Sequence, residues 1–437
     1  MSRLFIAGYA ALVMSAPAHA AVDIKEVTSP GGITAWLVEE HQIPFVAIEI
    51  EFEGGASLDP DGKRGAVNLM TGLLNEGAGD MNAQEFAAAQ EALAASFSFD
   101  VYDDGITISG RFLTENQDEA VALLRTALTE PSFDPAALER VRGQALAAIR
   151  SDSQDPDEIA ARRFKELTYG AHPYATPYEG TLESVGALSR DDMITVHQST
   201  MTKDKINVAV VGDITADELG TMLDVLLGGL PETGAPLPGK AELTFSGGID
   251  VVQFETPQSV ALFGHSGIEW DDPDFFAAFV LNTIVGAGGF ESRLMQEVRE
   301  KRGLTYGIYA SLATRDHAEL MRGGFASAND RISEAIDVIK AEWEKIATEG
   351  VTEEELELAK TYMTGSYPLR FDGNARIAGI LASMQADDFP IDYALTRNDR
   401  VNAVTMEDIK RVAARLYNPD ELSFVVVGQP VGLDPTN

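Results

Sequence analysis

Arg299 and Tyr306 lie on one short run, Glu297-Val298-Arg299-Glu300-Lys301-Arg302-Gly303-Leu304-Thr305-Tyr306-Gly307. A guanidinium and a phenol are side chains that can donate hydrogen bonds to an oxygen on which negative charge develops, so the pair is a candidate oxyanion-binding corner. The charged, amphipathic run from about Ser292 predicts a helix, with Gly303 as its stop. The alternation from Leu304 to Ala310 predicts a strand. Arg299 should then sit in the last helical turn and Tyr306 near the start of the strand. A flexible loop, Gly286-Ala287-Gly288-Gly289, precedes them. A plainer reading stands beside this one. An arginine in a last turn complements the helix dipole with no other task, and a tyrosine in a strand is ordinary core with a polar tip. The local pattern alone leaves both open.

The elements that must position such a corner are spread over 437 residues, enough for two or more domains. A hydrophobic content of 45% predicts a folded chain. A formal charge of -36 argues against binding nucleic acid or anionic lipid. There is no cysteine, which excludes disulfides and thiol chemistry. Arg3, the apolar stretch from Leu4 to Met14 and Ala18-His19-Ala20 read as a secretory leader cleaved after Ala20. The stretch is too short to span a bilayer and no later segment is a membrane helix, so an exported, periplasmic product without stable membrane insertion is expected.

From Ile33 to Leu37 and from Phe45 to Phe52 the chain predicts strands, then a helix over about Gly65 to Asn75 and another over 83–94. Strands at Phe97 to Val101 and Gly105 to Phe112 flank an Asp103-Asp104-Gly105 turn, and helices follow over 116–128, 134–150 and 156–168. The order then recurs: strands at Val251 to Phe254 and Val260 to Ser266, a helix over Phe275 to Val285 ending in glycines, a strand pair at Leu304 to Ala313 and Ala318 to Ala326, then helices. The clearest echo joins Ser184–Gly212 to Arg400–Gly428, each a capped helix followed by a buried strand and a glycine. The fold class expected is α+β: two similar domains, each a mostly antiparallel sheet with packed helices, arranged as a clamshell. Their bounds are read as 21–228 and 243–437, joined by a Pro- and Gly-rich linker over 229–242.

Other chemistry-bearing residues read plainly. The six histidines stand at 19, 41, 172, 197, 265 and 317, no two within a helical turn, so a zinc site of paired helical histidines cannot be built. A dispersed His/Asp/Glu site stays open. His172 precedes a proline and reads as a local cap, His41 as a solvated turn residue, and His265 as buried and satisfied. No G-x-S-x-G elbow occurs, the 286–289 loop lacks the lysine of a phosphate loop, and the acids at 352–357 suit a helix first turn.

Nearly the whole chain after the leader resembles the M16 family of zinc peptidases. The resemblance rests on Gly286-Ala287-Gly288-Gly289-Phe290-Glu291-Ser292-Arg293-Leu294, on Val298-Arg299-Glu300-Lys301-Arg302-Gly303-Leu304-Thr305-Tyr306, on His172-Pro173-Tyr174, and on the Val-Val-Gly domain ends. It implies a zinc motif H-x-x-E-H on the first long helix, with a further glutamate downstream. Asn68, Thr71, Gly72 and Ala148 stand at those places, so no metal is expected there and no cofactor on this chain. It also implies that Arg299 and Tyr306 hold a peptide backbone and stabilise a tetrahedral intermediate, with Gly286, Gly288, Gly289 and Phe290 contacting the substrate. Some bacterial members divide the work between two chains. The expectation is therefore a zinc-less subunit, inactive alone, paired with an H-x-x-E-H-bearing homologue that supplies zinc. The alternative is an inert scaffold or peptide-binding subunit.

Overall fold

Along Phe45–Glu53 Val46, Ile48, Ile50 and Phe52 are buried on one face, while Ala47, Glu49 and Glu51 point the other way. This period of two makes a strand with an apolar face and a mixed one, and the first half of the molecule is assembled around it. The computed structural model describes residues 23–435; the expected leader over 1–20 lies outside the described residues. In chain order the strands of this half are β1 (Lys25–Thr28), β2 (Thr34–Glu39), β3 (Phe45–Glu53), the short pair β4 (Gly77–Ala78) and β5 (Met81–Asn82), β6 (Ser96–Val101), β7 (Gly105–Leu113) and β8 (Ile206–Gly212). The main sheet runs β1-β2-β8-β3-β7-β6, and β4 and β5 form a separate two-stranded pair.

The second half repeats the plan with β9 (Gly248–Gln253), β10 (Gln258–Ser266), β11 (Ile308–Arg315), β12 (Ala318–Ala328) and β13 (Ser423–Gly428), ordered β9-β13-β10-β12-β11. In each sheet the late strand is parallel to one neighbour and antiparallel to the other: β8 to β2 and β3, β13 to β9 and β10. The helices before these late strands, Arg190–Thr200 and Met406–Leu416, both open with a capping box, Ser189 with Asp192 and Thr405 with Asp408. The α+β class and the duplication thus hold.

Each sheet buries its first face against helices of its own half. The second faces are covered by exchange. Helix Pro156–Tyr169 lays Ala160 and Phe164 on Val260, Leu320 and Val425 of the second sheet. Helix Asn374–Ala386 lays Ala378, Leu381 and Ala382 on Ala47, Ala209 and Val211 of the first. Residues 231–247 carry no regular element until β9 begins. They are nonetheless bonded across the seam, with Ala241 N–H to His317 O at 2.8 Å and Thr244 N–H to Thr168 O at 3.0 Å.

Two predicted elements differ in extent. The helix expected over Gly65 to Asn75 runs only over Ala66–Thr71, and turns follow it. The strand expected from Leu304 begins at Ile308, because the Thr305 hydroxyl bonds Ala326 O at 2.7 Å and Gly307 O at 2.8 Å and holds this stretch off the ladder.

Candidate functional site

The corner at Arg299 is built by two widened helical turns. Helix Phe275–Asn282 is apolar almost throughout and passes directly into a π-helical turn, Thr283–Ala287. Gly286 lies buried there, because a β-carbon on it would stand 2.6 Å from the Ala310 β-carbon of β11. Gly288 is half-buried, and Gly289 is exposed with φ +61°, a value glycine adopts freely. The Ser292 hydroxyl donates to Gly289 O at 2.8 Å, and the Gln296 amide to Phe290 O at 2.8 Å, so the loop is tied down on its inner side. The run that follows is a π-helix, Met295–Glu300, not the regular α-helix the sequence predicts. Gly303 ends it at φ +59°, its N–H bonding Arg299 O and the Leu304 N–H bonding Val298 O. Single π turns recur at functional sites because they re-aim side chains.

These turns bring three sequence-predicted residues together. The Arg299 guanidinium carbon lies 4.8 Å from the Phe290 ring centroid and 5.5 Å from that of Tyr306, with an ion pair to Glu300 at 2.9 Å. Arg299 keeps 26% of its side chain exposed, Phe290 is 64% exposed and Tyr306 91%. Tyr306 lies just before β11 rather than in it, and no protein group bonds its hydroxyl among the described residues. Rings flanking a cation are worth about 0.5–1 kcal/mol each at an exposed site, enough to orient the guanidinium but not to justify two large aromatics in water. The corner presents a partly exposed guanidinium beside an exposed phenol, two groups that can donate to an oxygen.

Behind it, Arg293 bonds both oxygens of Glu355, at 2.6 and 2.8 Å. Burial pushes the Glu355 carboxyl up, but the bonds from Arg293 and Thr352 outweigh it and hold the group at about 2. The acidic run at 352–357 is a helix first turn, as predicted, and Glu355 also anchors the π-helix.

The positions that resemble a zinc motif do not fit the metal. Thr71 is buried and its hydroxyl bonds Val67 O at 2.9 Å. Asn68 is half-buried, Gly72 has no side chain, and Ala148 shows an exposed methyl on helix Pro135–Asp152. No imidazole or carboxylate stands among the four. They sit on helices of the first half, whereas the Arg299 corner belongs to the second.

A second polar centre lies where the halves meet. Asp103, 3% exposed, accepts from Arg64 at 2.7 Å, Arg315 at 2.8 Å and Lys165 at 3.4 Å. Burial raises its carboxyl, yet Lys165, Arg315 and Arg64 together hold it below the usual range. Tyr174 is buried beneath the Arg315 guanidinium, 5.1 Å from its carbon, and its hydroxyl donates to Asp104. His172 caps this turn, accepting from Tyr174 N–H at 3.3 Å, as the sequence predicts. Glu51, bonded by the Tyr102 hydroxyl, is pushed up to about 8 by burial and by the nearby carboxylates of Asp316 and Asp387. His265 is buried and bonded by Trp343 at 3.0 Å, also as predicted; His41 is less free than expected, its ring 2.8 Å from Asp213. Sequence reading found the Asp103-Asp104 turn and the His172 cap but did not bring them together, since the members of the centre are far apart in the chain. The only signal was that Asp103-Asp104 and Asp316-His317 occupy equivalent hairpin turns.

Comparisons agree with this architecture. The family model described as "Insulinase (Peptidase family M16)" matches residues 35–182, and the one described as "Peptidase M16 inactive domain" matches residues 187–363. The non-peptidase homolog YmxG of Helicobacter pylori is 27% identical over 389 residues, covering 89% of this chain and 90% of that protein. An uncharacterized zinc protease of Mycobacterium leprae is 25% identical, covering 90% of this chain and 89% of that protein. The crystal structure of a peptidase M16 inactive domain from Pseudomonas fluorescens superposes with a TM-score of 0.88 at 26% identity, covering 95% of this chain and 100% of that one. With both halves matched, the chain belongs to peptidase family M16.

Proposed function

We propose that this chain is the zinc-motif-less subunit of an exported two-chain M16 peptidase. A homologue bearing H-x-x-E-H supplies the zinc and the attacking water, and this chain supplies Arg299 and Tyr306. Arg299 holds a carbonyl of an extended peptide, and Tyr306 donates to the oxygen that becomes negative as the peptide bond is attacked. The peptide adds a strand to the partner's sheet edge, while Gly288, Gly289 and Phe290 form the lip that it passes; Gly286 supports that lip by packing. The acidic surface favours cationic peptides through long-range steering, a preference that added salt weakens. The observation that carries this reading is the Arg299 guanidinium set between two exposed aromatic rings.

The experiment is peptide cleavage by this chain alone, by a zinc-bearing homologue alone, and by the mixture. The mixture should cleave best. Arg299→Ala or Tyr306→Phe in this chain should lower the mixture's rate roughly 100- to 1,000-fold, the range for loss of an oxyanion donor. Unchanged rates in both variants would remove the catalytic role. A second reading is supported by the name of the Helicobacter relative, a non-peptidase homolog. On it, the chain is an inert scaffold, and the mixture would be no better than the homologue alone.

A further inference from the structure

The turns that close the β6–β7 and β11–β12 hairpins hold equivalent places in the two halves, and they meet at the seam. The first contributes Asp104, the second Asp316 and His317. A carboxylate oxygen from each aspartate and a ring nitrogen of His317 all lie within 4.8 Å of one another. His317 is only 7% exposed, and its Nε2 is buried with no hydrogen-bond partner. A buried imidazole nitrogen left unpaired costs roughly 1–3 kcal/mol unless something else meets it. The neighbouring cations cannot do so. Arg315 is committed to Asp103, and Lys240 to Glu269 and Glu319. Asp316 is exposed and makes no ion pair among the described residues.

We infer that Asp104, Asp316 and His317 form a binding site for a divalent transition-metal cation that clips the two halves together. Three ligands drawn from two carboxylates and one imidazole suit Zn²⁺ or Mn²⁺ better than Ca²⁺ or Mg²⁺, which take oxygen ligands almost alone. The site opens on a cavity of about 350 Å³ lined by Glu53, Asp316, His317, Asp387 and Asp388, so water can complete the coordination and an ion can enter. It is distinct from Asn68, Thr71, Gly72 and Ala148, and it departs from the sequence expectation of a chain with no metal of its own. Because its ligands come from both halves, occupancy stabilises the state in which they meet.

The test is titration of the chelator-treated full chain with Zn²⁺ by calorimetry, with Ca²⁺ as the comparison ion, and a parallel thermal melt. The expected result is about one high-affinity Zn²⁺ per chain, weak or no Ca²⁺ binding, and a melting midpoint that rises with Zn²⁺. Asp316→Asn should weaken Zn²⁺ binding roughly ten-fold or more and abolish the rise without lowering the metal-free midpoint. His317→Ala should do the same to binding. Absence of a high-affinity Zn²⁺ site in the wild-type chain would overturn the inference, as would equal binding in both variants. A seam that binds an oligolysine peptide but not Zn²⁺ would overturn it too, and would make the cavity a pocket for basic side chains.

Discussion

The helix after β3 and the helix after β10 hold the same place in the repeat, and they end differently. The first stops at Thr71, whose hydroxyl turns back on Val67 O, and leaves Gly72 without a side chain. The second widens into a π turn, packs Gly286 against β11, and delivers exposed Phe290 to Arg299. One fold position has thus been closed in one half and opened into a donor-bearing corner in the other. Family membership fixes the scaffold, while the chemistry is decided turn by turn.

The largest effect should come from separating the halves being compared. Asp103→Ala leaves Arg64, Lys165 and Arg315 around an empty place, and removing one partner of a buried ion network costs about 3–5 kcal/mol. Urea unfolding should report a loss of that size; a loss below about 1 kcal/mol would mean that the network does not bind the halves. Next, Gly286→Ala forces a β-carbon onto Ala310 and should cost roughly 1–3 kcal/mol. Gly72→Ala is its control. There the added carbon meets Val141 at an ordinary 3.5 Å in right-handed helical backbone, and the change should be neutral or stabilising by up to about 1 kcal/mol. Equal costs at the two glycines would erase the contrast drawn above.

A smaller effect concerns pH. Glu51 is raised from 4.5 to about 8, so its protonated form favours the folded state. That contribution is full below 4.5 and is lost as pH rises through about 8. Asp103 is held low, so its contribution is present above the ordinary carboxylate range and lost as pH falls through its folded value. Stability should therefore decline as pH rises from 4.5 towards about 8 and again as pH falls through the folded value of Asp103, and Glu51→Gln should flatten the rising-pH limb alone. The smallest effect is at the corner itself: Tyr306→Phe should leave stability within about 0.5 kcal/mol of wild type, since the hydroxyl bonds no protein group among the described residues. A larger loss would turn Tyr306 into a structural residue.

Most of the architecture was legible because it rests on local rules. The capped helices within Ser184–Gly212 and Arg400–Gly428 were legible, as were the central strands expected from Phe45 to Phe52 and from Val260 to Ser266. Arg299 and Tyr306 were legible as a pair because both lie on one short segment, whereas Phe290 entered only through the family resemblance. The π turns were not: Met295–Glu300 carries the amphipathic pattern of an α-helix, and the close approach of Gly286 to Ala310 joins residues more than twenty apart in the chain. Nor was the start of β11, which the Thr305 hydroxyl sets through a bond to a strand more than twenty residues on. The Asp104–Asp316–His317 group was invisible for the same reason on a larger scale: only the meeting of the halves creates it.

The exchanged helices carry one more consequence. A cut within 231–247 would leave the first piece holding Pro156–Tyr169 with no sheet beneath it, and the second holding Asn374–Ala386 in the same state. Each piece would expose an apolar sheet face and an unplaced apolar helix, a combination that invites aggregation. Neither half of the duplication could therefore be shed or borrowed by another protein without the other. On the ribosome, the first sheet waits for a helix made more than 160 residues after β8, so folding of the first half is completed only when synthesis is nearly over.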